Sequence, residues 1–233
     1  MVAELRAGDR IAVVEDDEAN LRAVVWTLED LDLKPIWVPP DPRGVDFLIE
    51  EVRAVAGAVI SDHRLGKKKS IPYYGAEFVA RSNQRKIPAV LMTSYANSDE
   101  STSIRAWRAD IPRLLNRGTD VGDPAKIRGA LEQARAECLG EFSQERRAYQ
   151  AVVRVKGLRA GPSGTVAEVL VTAWRPNEAV DMPASIVTDG LSIDGVVLRG
   201  TRFVAEVNIY AESGGDLYFK NIRPAPGLPE GWK

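Results

Sequence analysis

Ile11-Ala12-Val13-Val14-Glu15-Asp16-Asp17 is the stretch that decides the fold. An apolar run long enough for a short strand ends in a string of carboxylates. The pattern returns in Val59-Ile60-Ser61-Asp62-His63-Arg64-Leu65, and again, with a hydroxyl in place of the acid, in Val90-Leu91-Met92-Thr93. Each polar end is followed, after a loop, by a helix-like stretch. If the three runs are parallel strands of one sheet, their carboxyl ends meet in a single crevice, which is where open α/β sheets bind ligands. Carboxylates gathered there repel one another and call for a cation. Mg²⁺ suits such a site, because it takes oxygen ligands and needs few of them.

Working outward, the same alternation continues. Leu21, Val24, Val25, Leu28 and Leu31 share one face of a helix. Pro35–Val38 reads as a second strand, stopped by Pro39 and Pro40. Val45, Leu48, Ile49 and Val52 mark a second helix, Gly57–Ile60 a third strand, and Gly75 the opening of a third helix. Pro88–Met92 is a fourth strand, Ile104 and Trp107 anchor a fourth helix, and Ile111–Leu115 is a fifth strand. Asp123-Pro124 is a cap followed by proline at the first helical position, opening a fifth helix through Ile127, Leu131, Ala134 and Cys138. Strands alternating with helices predict a parallel sheet covered on both faces.

Composition narrows the function classes. The chain has 233 residues, room for a core in one large or two small domains. A net charge of -2 argues against a general electrostatic drive onto nucleic acid or anionic membrane. A single cysteine, Cys138, excludes an internal disulfide framework and fits a reducing cytoplasm. No apolar run reaches the length of a membrane helix, and the first residues hold no apolar core of a signal peptide.

Residues 8–140 resemble the receiver domain of bacterial response regulators. The resemblance rests on Val14-Glu15-Asp16, Asp62 with Leu65 and Gly75 downstream, and Pro88 through Thr93, in that order. It implies a flavodoxin-like sheet of order 2-1-3-4-5. It also implies that Asp62 accepts a phosphoryl group from a histidine kinase or phosphotransfer protein. Mg²⁺ would be held by Glu15, Asp16, Asp62 and the backbone carbonyl of Arg64, and Thr93 would give its hydroxyl to the acyl phosphate. Asp17 reads separately as the cap of the first helix.

The chain departs from the family at three places. Where the family has Lys followed by Pro after the fifth strand, this chain has Asn116-Arg117. Asn116 can donate a hydrogen bond but carries no charge. Leu114 stands where an aromatic switch residue is usual. The loop after Asp62 is Gly66-Lys67-Lys68-Lys69-Ser70, either a solvated charged loop or, with Arg117, a source of the missing positive charge. His63, the only histidine, adjoins Asp62, but adjacent strand residues face opposite ways, so it is expected to point away from the site.

The helical pattern after Cys138 continues to Phe142 and Tyr149, so residues 141–149 read as a helical linker. They are a signalling segment or dimer face, or a polar connector. From 150 to 233 the pattern is β, with runs at Ala151–Val155, Thr165–Trp174, Ala184–Val187, Phe203–Ile209 and Leu217–Phe219. Gly161-Pro162-Ser163-Gly164, Asp189-Gly190, Asp194-Gly195 and Gly214-Gly215 are turn signals between them. The expectation is a small all-β barrel or sandwich, with Trp232 in an irregular tail. There is no helix pair for reading DNA and no histidine for a hydrolytic triad. Arg146-Arg147 with Gly190-Leu191-Ser192-Ile193-Asp194-Gly195 faintly resembles the PilZ pattern that binds cyclic-di-GMP, although that pattern wants Asp or Asn where Gly190 stands.

The sequence therefore predicts a cytoplasmic response regulator without catalytic activity beyond the chemistry at Asp62. It would act on an output protein partner through a β domain that does not bind DNA. The competing reading is a phosphate-independent pseudo-receiver that serves as an interaction scaffold.

Overall fold

The computed structural model describes residues 4–66, 71–94, 100–161, 164–193 and 197–226. The chain divides into two compact units, one of residues 1–98 with 110–142, the other of residues 99–109 with 143–233.

The first unit is built on β1 (Arg10–Val14), β2 (Lys34–Trp37), β3 (Ala58–Asp62), β4 (Ala89–Thr93) and β5 (Leu114–Asn116). All neighbours pair parallel, in the order β2-β1-β3-β4-β5, the flavodoxin-like order. Every residue of β3 and β4 is buried. Strands covered on both faces read as unbroken apolar runs, which is why these two stand out in the sequence. The covering helices are α1 (Glu18–Glu29), α2 (Val45–Val55), α3 (Gly75–Gln84) and α5 (Pro124–Cys138). Val24 and Leu28 of α1 share one core with Ile127, Leu131 and Ala134 of α5 and with Ile11, Val13, Ile60 and Met92.

The caps are those the sequence proposed. Asp17 accepts from the amides of Ala19 and Asn20 at the start of α1, and Asp123 from Ala125 and Lys126 at the start of α5. By contrast, α5 does not run on toward Tyr149. It stops at Cys138, where Gly140 takes φ 88°, the amide of Gly140 donates to the Glu137 carbonyl and that of Glu141 to the Ala136 carbonyl. This closing pattern satisfies the last carbonyls and needs a residue comfortable at positive φ.

The second unit carries β6 (Tyr149–Gly161), β7 (Gly164–Val171), β8 (Ala179–Pro183), β9 (Arg202–Val207) and β10 (Phe219–Pro224). They form one antiparallel sheet of order β10-β9-β6-β7-β8. Among the described residues β10 and β8 are its edges, so the sheet is open and no closed barrel is formed. Its core is Val153, Val155, Val169, Val171, Met182, Phe203, Ala205 and Val207.

Two local expectations change here. Ala184–Val187 belongs to helix α6 (Ala184–Leu191), not to a strand; Ala184 and Val187 turn inward from one helical face. A short apolar run does not distinguish the two by periodicity. The missed strand is β8, just before it, which ends at Pro183 on the sheet edge, where a lost amide costs no ladder bond. Trp232 and Asp194-Gly195 lie outside the described residues.

The segment that crosses from β4 to β5 belongs to the second unit. It contains the short helix α4 (Glu100–Arg105), and α4 packs against β8. Arg105 is buried and donates to the carbonyls of Gly214 and Leu217. Arg108 pairs with Asp216 at 2.8 Å. Arg146 donates to the carbonyl of Ala109 at 2.9 Å and lies over the Tyr218 ring, whose hydroxyl donates back to the Arg146 carbonyl at 2.6 Å.

Candidate phosphoryl and metal site

The parallel register brings the ends of β1, β3, β4 and β5 together. Val14 pairs with Ser61, Asp62 with Met92, and Thr93 with Asn116. Glu15, Asp16 and Asp62 each place a carboxylate oxygen within 4.8 Å of the others. Thr93 is buried at the end of β4.

Among the described residues the cation in this pocket is Arg117. Its Nη2 stands 2.6 Å from Glu15 Oε2 and 2.6 Å from Asp62 Oδ1. The position is fixed by the backbone, since the Arg117 amide donates to the Thr93 carbonyl at 2.9 Å. Its Nη1 is buried and has no hydrogen-bond partner among the described residues. The other oxygen of Glu15 accepts from the amides of Asp16 and Asp17, at 3.1 and 3.0 Å. Asp62 Oδ2 accepts from the Arg64 amide at 3.1 Å. Thus Arg64 meets Asp62 through its N–H.

Charge follows from this geometry. Burial pushes the Glu15 carboxyl above its ordinary range and the Asp62 charge adds to that, while the Asp17 amide and Arg117 pull the other way without cancelling it. Burial works against the Arg117 guanidinium too, but Asp62 and Glu15 outweigh it and hold its pKa above the usual value. The guanidinium therefore keeps its charge.

The donor set fits Mg²⁺. It is all oxygen, and three carboxylates less one guanidinium leave two negative charges for a divalent ion. The space directly between Glu15 and Asp62, however, is spanned by Arg117.

Other site expectations fall as follows. The Asn116 side chain accepts from the Gly118 amide at 2.8 Å and so shapes the turn that aims Arg117. His63 is buried and stacks on Tyr74, with centroids 5.2 Å apart, and burial with the nearby Arg64 charge lowers its pKa to about 4. Lys67, Lys68 and Lys69 lie outside the described residues. In the second unit, Arg146 is committed to the backbone, and Gly190-Leu191-Ser192 is the end of α6, with Ser192 as its left-handed cap at φ 52°.

One residue escaped notice. Trp37, at the end of β2, donates Nε1–H to the Glu15 carbonyl at 3.0 Å; the strand order β2-β1 was the available signal. Gly75 has its role set by contact. A Cβ there would lie 1.7 Å from the Asp62 carbonyl oxygen, so only glycine lets α3 start against the strand that carries the aspartate.

No family model matches the sequence, and no curated protein matches it. Among solved structures, the chain is similar to a response regulator receiver domain protein from Clostridium thermocellum, with 13% identity over 55% of this chain and 95% of that one, at TM-score 0.42. It is similar to the signal receiver domain of a putative Luxo repressor protein from Vibrio parahaemolyticus, with 17% identity over 58% and 99%, at TM-score 0.42. It is also similar to the signal receiver domain of a modulated diguanylate cyclase from Desulfovibrio desulfuricans G20, with 18% identity over 57% and 98%, at TM-score 0.45.

Proposed function

We propose that the chain is a cytoplasmic response regulator whose first unit accepts a phosphoryl group on Asp62, with Arg117 supplying the positive charge that Asn116 cannot. The observation that carries this reading is the 2.6 Å contact from Arg117 to Asp62, beside a second guanidinium nitrogen that is buried and without a partner among the described residues. On this reading that nitrogen would turn to donate to a phosphoryl oxygen. One Asp62 carboxylate oxygen attacks phosphorus, the bond from phosphorus to the donor breaks, and the donor leaves with its electron pair. Mg²⁺, held by Glu15, Asp16 and Asp62, would neutralise charge on the transferring oxygens. Thr93 gives its hydroxyl to the acyl phosphate. The donor is a histidine kinase or a phosphotransfer protein, and the signal passes to the second unit, which contains α4, and on to a partner protein.

A second reading has its own support. Arg117 already spans two carboxylates, so the pocket has a counter-ion without Mg²⁺, which is compatible with a pseudo-receiver scaffold.

Intact mass after incubation with Mg²⁺ and acetyl phosphate separates the two. A phosphoryl mass shift that is lost in Asp62→Ala supports the first reading. No shift with acetyl phosphate or with a panel of histidine kinases, together with no Mg²⁺ binding, supports the second.

A further inference from the structure

We propose that the outward face of the antiparallel sheet docks an acidic segment of a partner protein that also carries aliphatic side chains. This inference is independent of phosphoryl chemistry at Asp62.

The sheet has two faces. Val153, Val155, Phe203 and Ala205 point into the core. Beside them in sequence, Arg154, Lys156 and Arg202 are exposed. The register places Arg154 directly opposite Arg202, and Arg223 directly opposite Val204 on the same outward side. Like charges directly opposite on neighbouring strands destabilise a sheet. Arg154, Lys156, Arg202 and Arg223 make no ion pair or side-chain hydrogen bond among the described residues. Acids do occur on this face, yet they sit elsewhere. Glu168 is opposite Gly157 and Asp181, Asp181 pairs with Arg159, and Glu206 is opposite Gln150 and Lys220.

The centre of the cluster is aliphatic. Val152 is paired with Val204, between the arginines, and Val152 is 48% exposed. Leu170 follows Arg154 in the next strand. Arginine around an apolar centre is the composition of a protein interface. A nucleic-acid strand would want aromatic rings to stack its bases, and the row holds valine and leucine instead. Carboxylates supply planar partners for guanidinium forks, so an acidic peptide complements both parts of the face.

The test uses the full chain and a fluorescein-labelled peptide of alternating glutamate and leucine, followed by fluorescence anisotropy. We expect binding that weakens with salt, and that weakens at least roughly tenfold in Arg154→Ala/Arg202→Ala. Arg154→Lys/Arg202→Lys should retain part of it. The thermal midpoint of the alanine variant should equal or exceed that of the parent, because a repulsion is removed. Absence of binding at low salt, binding unchanged by the alanine pair, a lowered thermal midpoint, or tighter binding of single-stranded polythymidine of equal charge would each overturn the proposal.

Discussion

Arg117→Ala removes the only cation that contacts both Glu15 and Asp62 among the described residues. The side chains of Glu15, Asp62 and Arg117 are 0%, 10% and 13% exposed, so the pair counts as buried. Removing one partner of a buried ion pair costs about 3 kcal/mol, because the other charge is left uncompensated. In metal-free buffer near neutral pH, the variant should lose that much stability, read from urea unfolding by circular dichroism. The loss should depend on pH. Glu15 already has a raised pKa from burial and from Asp62, and without Arg117 it rises further. A carboxyl with a folded pKa above its unfolded one contributes stability below the unfolded pKa and loses it as pH rises through the folded one. The deficit should therefore be small below the ordinary glutamate range and grow as pH rises above it. Mg²⁺ should repair the variant more than the parent, since an ion at about a hundred times its Kd returns about 2.7 kcal/mol. Equal stability of variant and parent in EDTA, or a deficit indifferent to both pH and Mg²⁺, would refute the assignment of Arg117 as the counter-ion of this pocket.

Two further outcomes follow from packing and burial. Gly75→Ala should lower stability by about 3 kcal/mol in denaturant titrations, since its Cβ would meet the Asp62 carbonyl, whereas Gly57→Ala, with nothing within 4 Å, should be near neutral. His63 has a folded pKa of about 4 against an ordinary value of 6.5; its contribution is present above pH 6.5 and is lost as pH falls toward 4. The His63 contribution to the unfolding free energy should fall by about 3 kcal/mol across that window, and the difference between the parent and His63→Phe should show that fall.

The first unit was legible because its physics is local. Buried parallel strands must be apolar along their whole length, as β3 and β4 are, and Asp17 and Asp123 announce helix starts by bonds that span only two or three residues. The site was legible as far as strand ends could bring residues together. What escaped depends on contacts distant in sequence. Arg117 was one of four candidate cations until the turn built on Asn116 and Gly118 aimed it at Asp62. Ala184–Val187 became a helix because its apolar residues meet a core on one side, which no short run discloses. The landing of α4 on β8 is recorded in no local pattern at all.

That last feature bears on how the chain can be divided. The backbone passes between the units at residues 98–99, 109–110 and 142–143, so neither unit is a contiguous piece of sequence. A fragment ending at 142 keeps Arg105 and Arg108 but loses the carbonyls of Gly214 and Leu217 and the carboxylate of Asp216 that receive them. A fragment beginning at 143 keeps those acceptors without their donors. During synthesis, the residues between β4 and β5 leave the ribosome well before the strand they pack against. A single cut anywhere in the chain therefore cannot separate the two units cleanly.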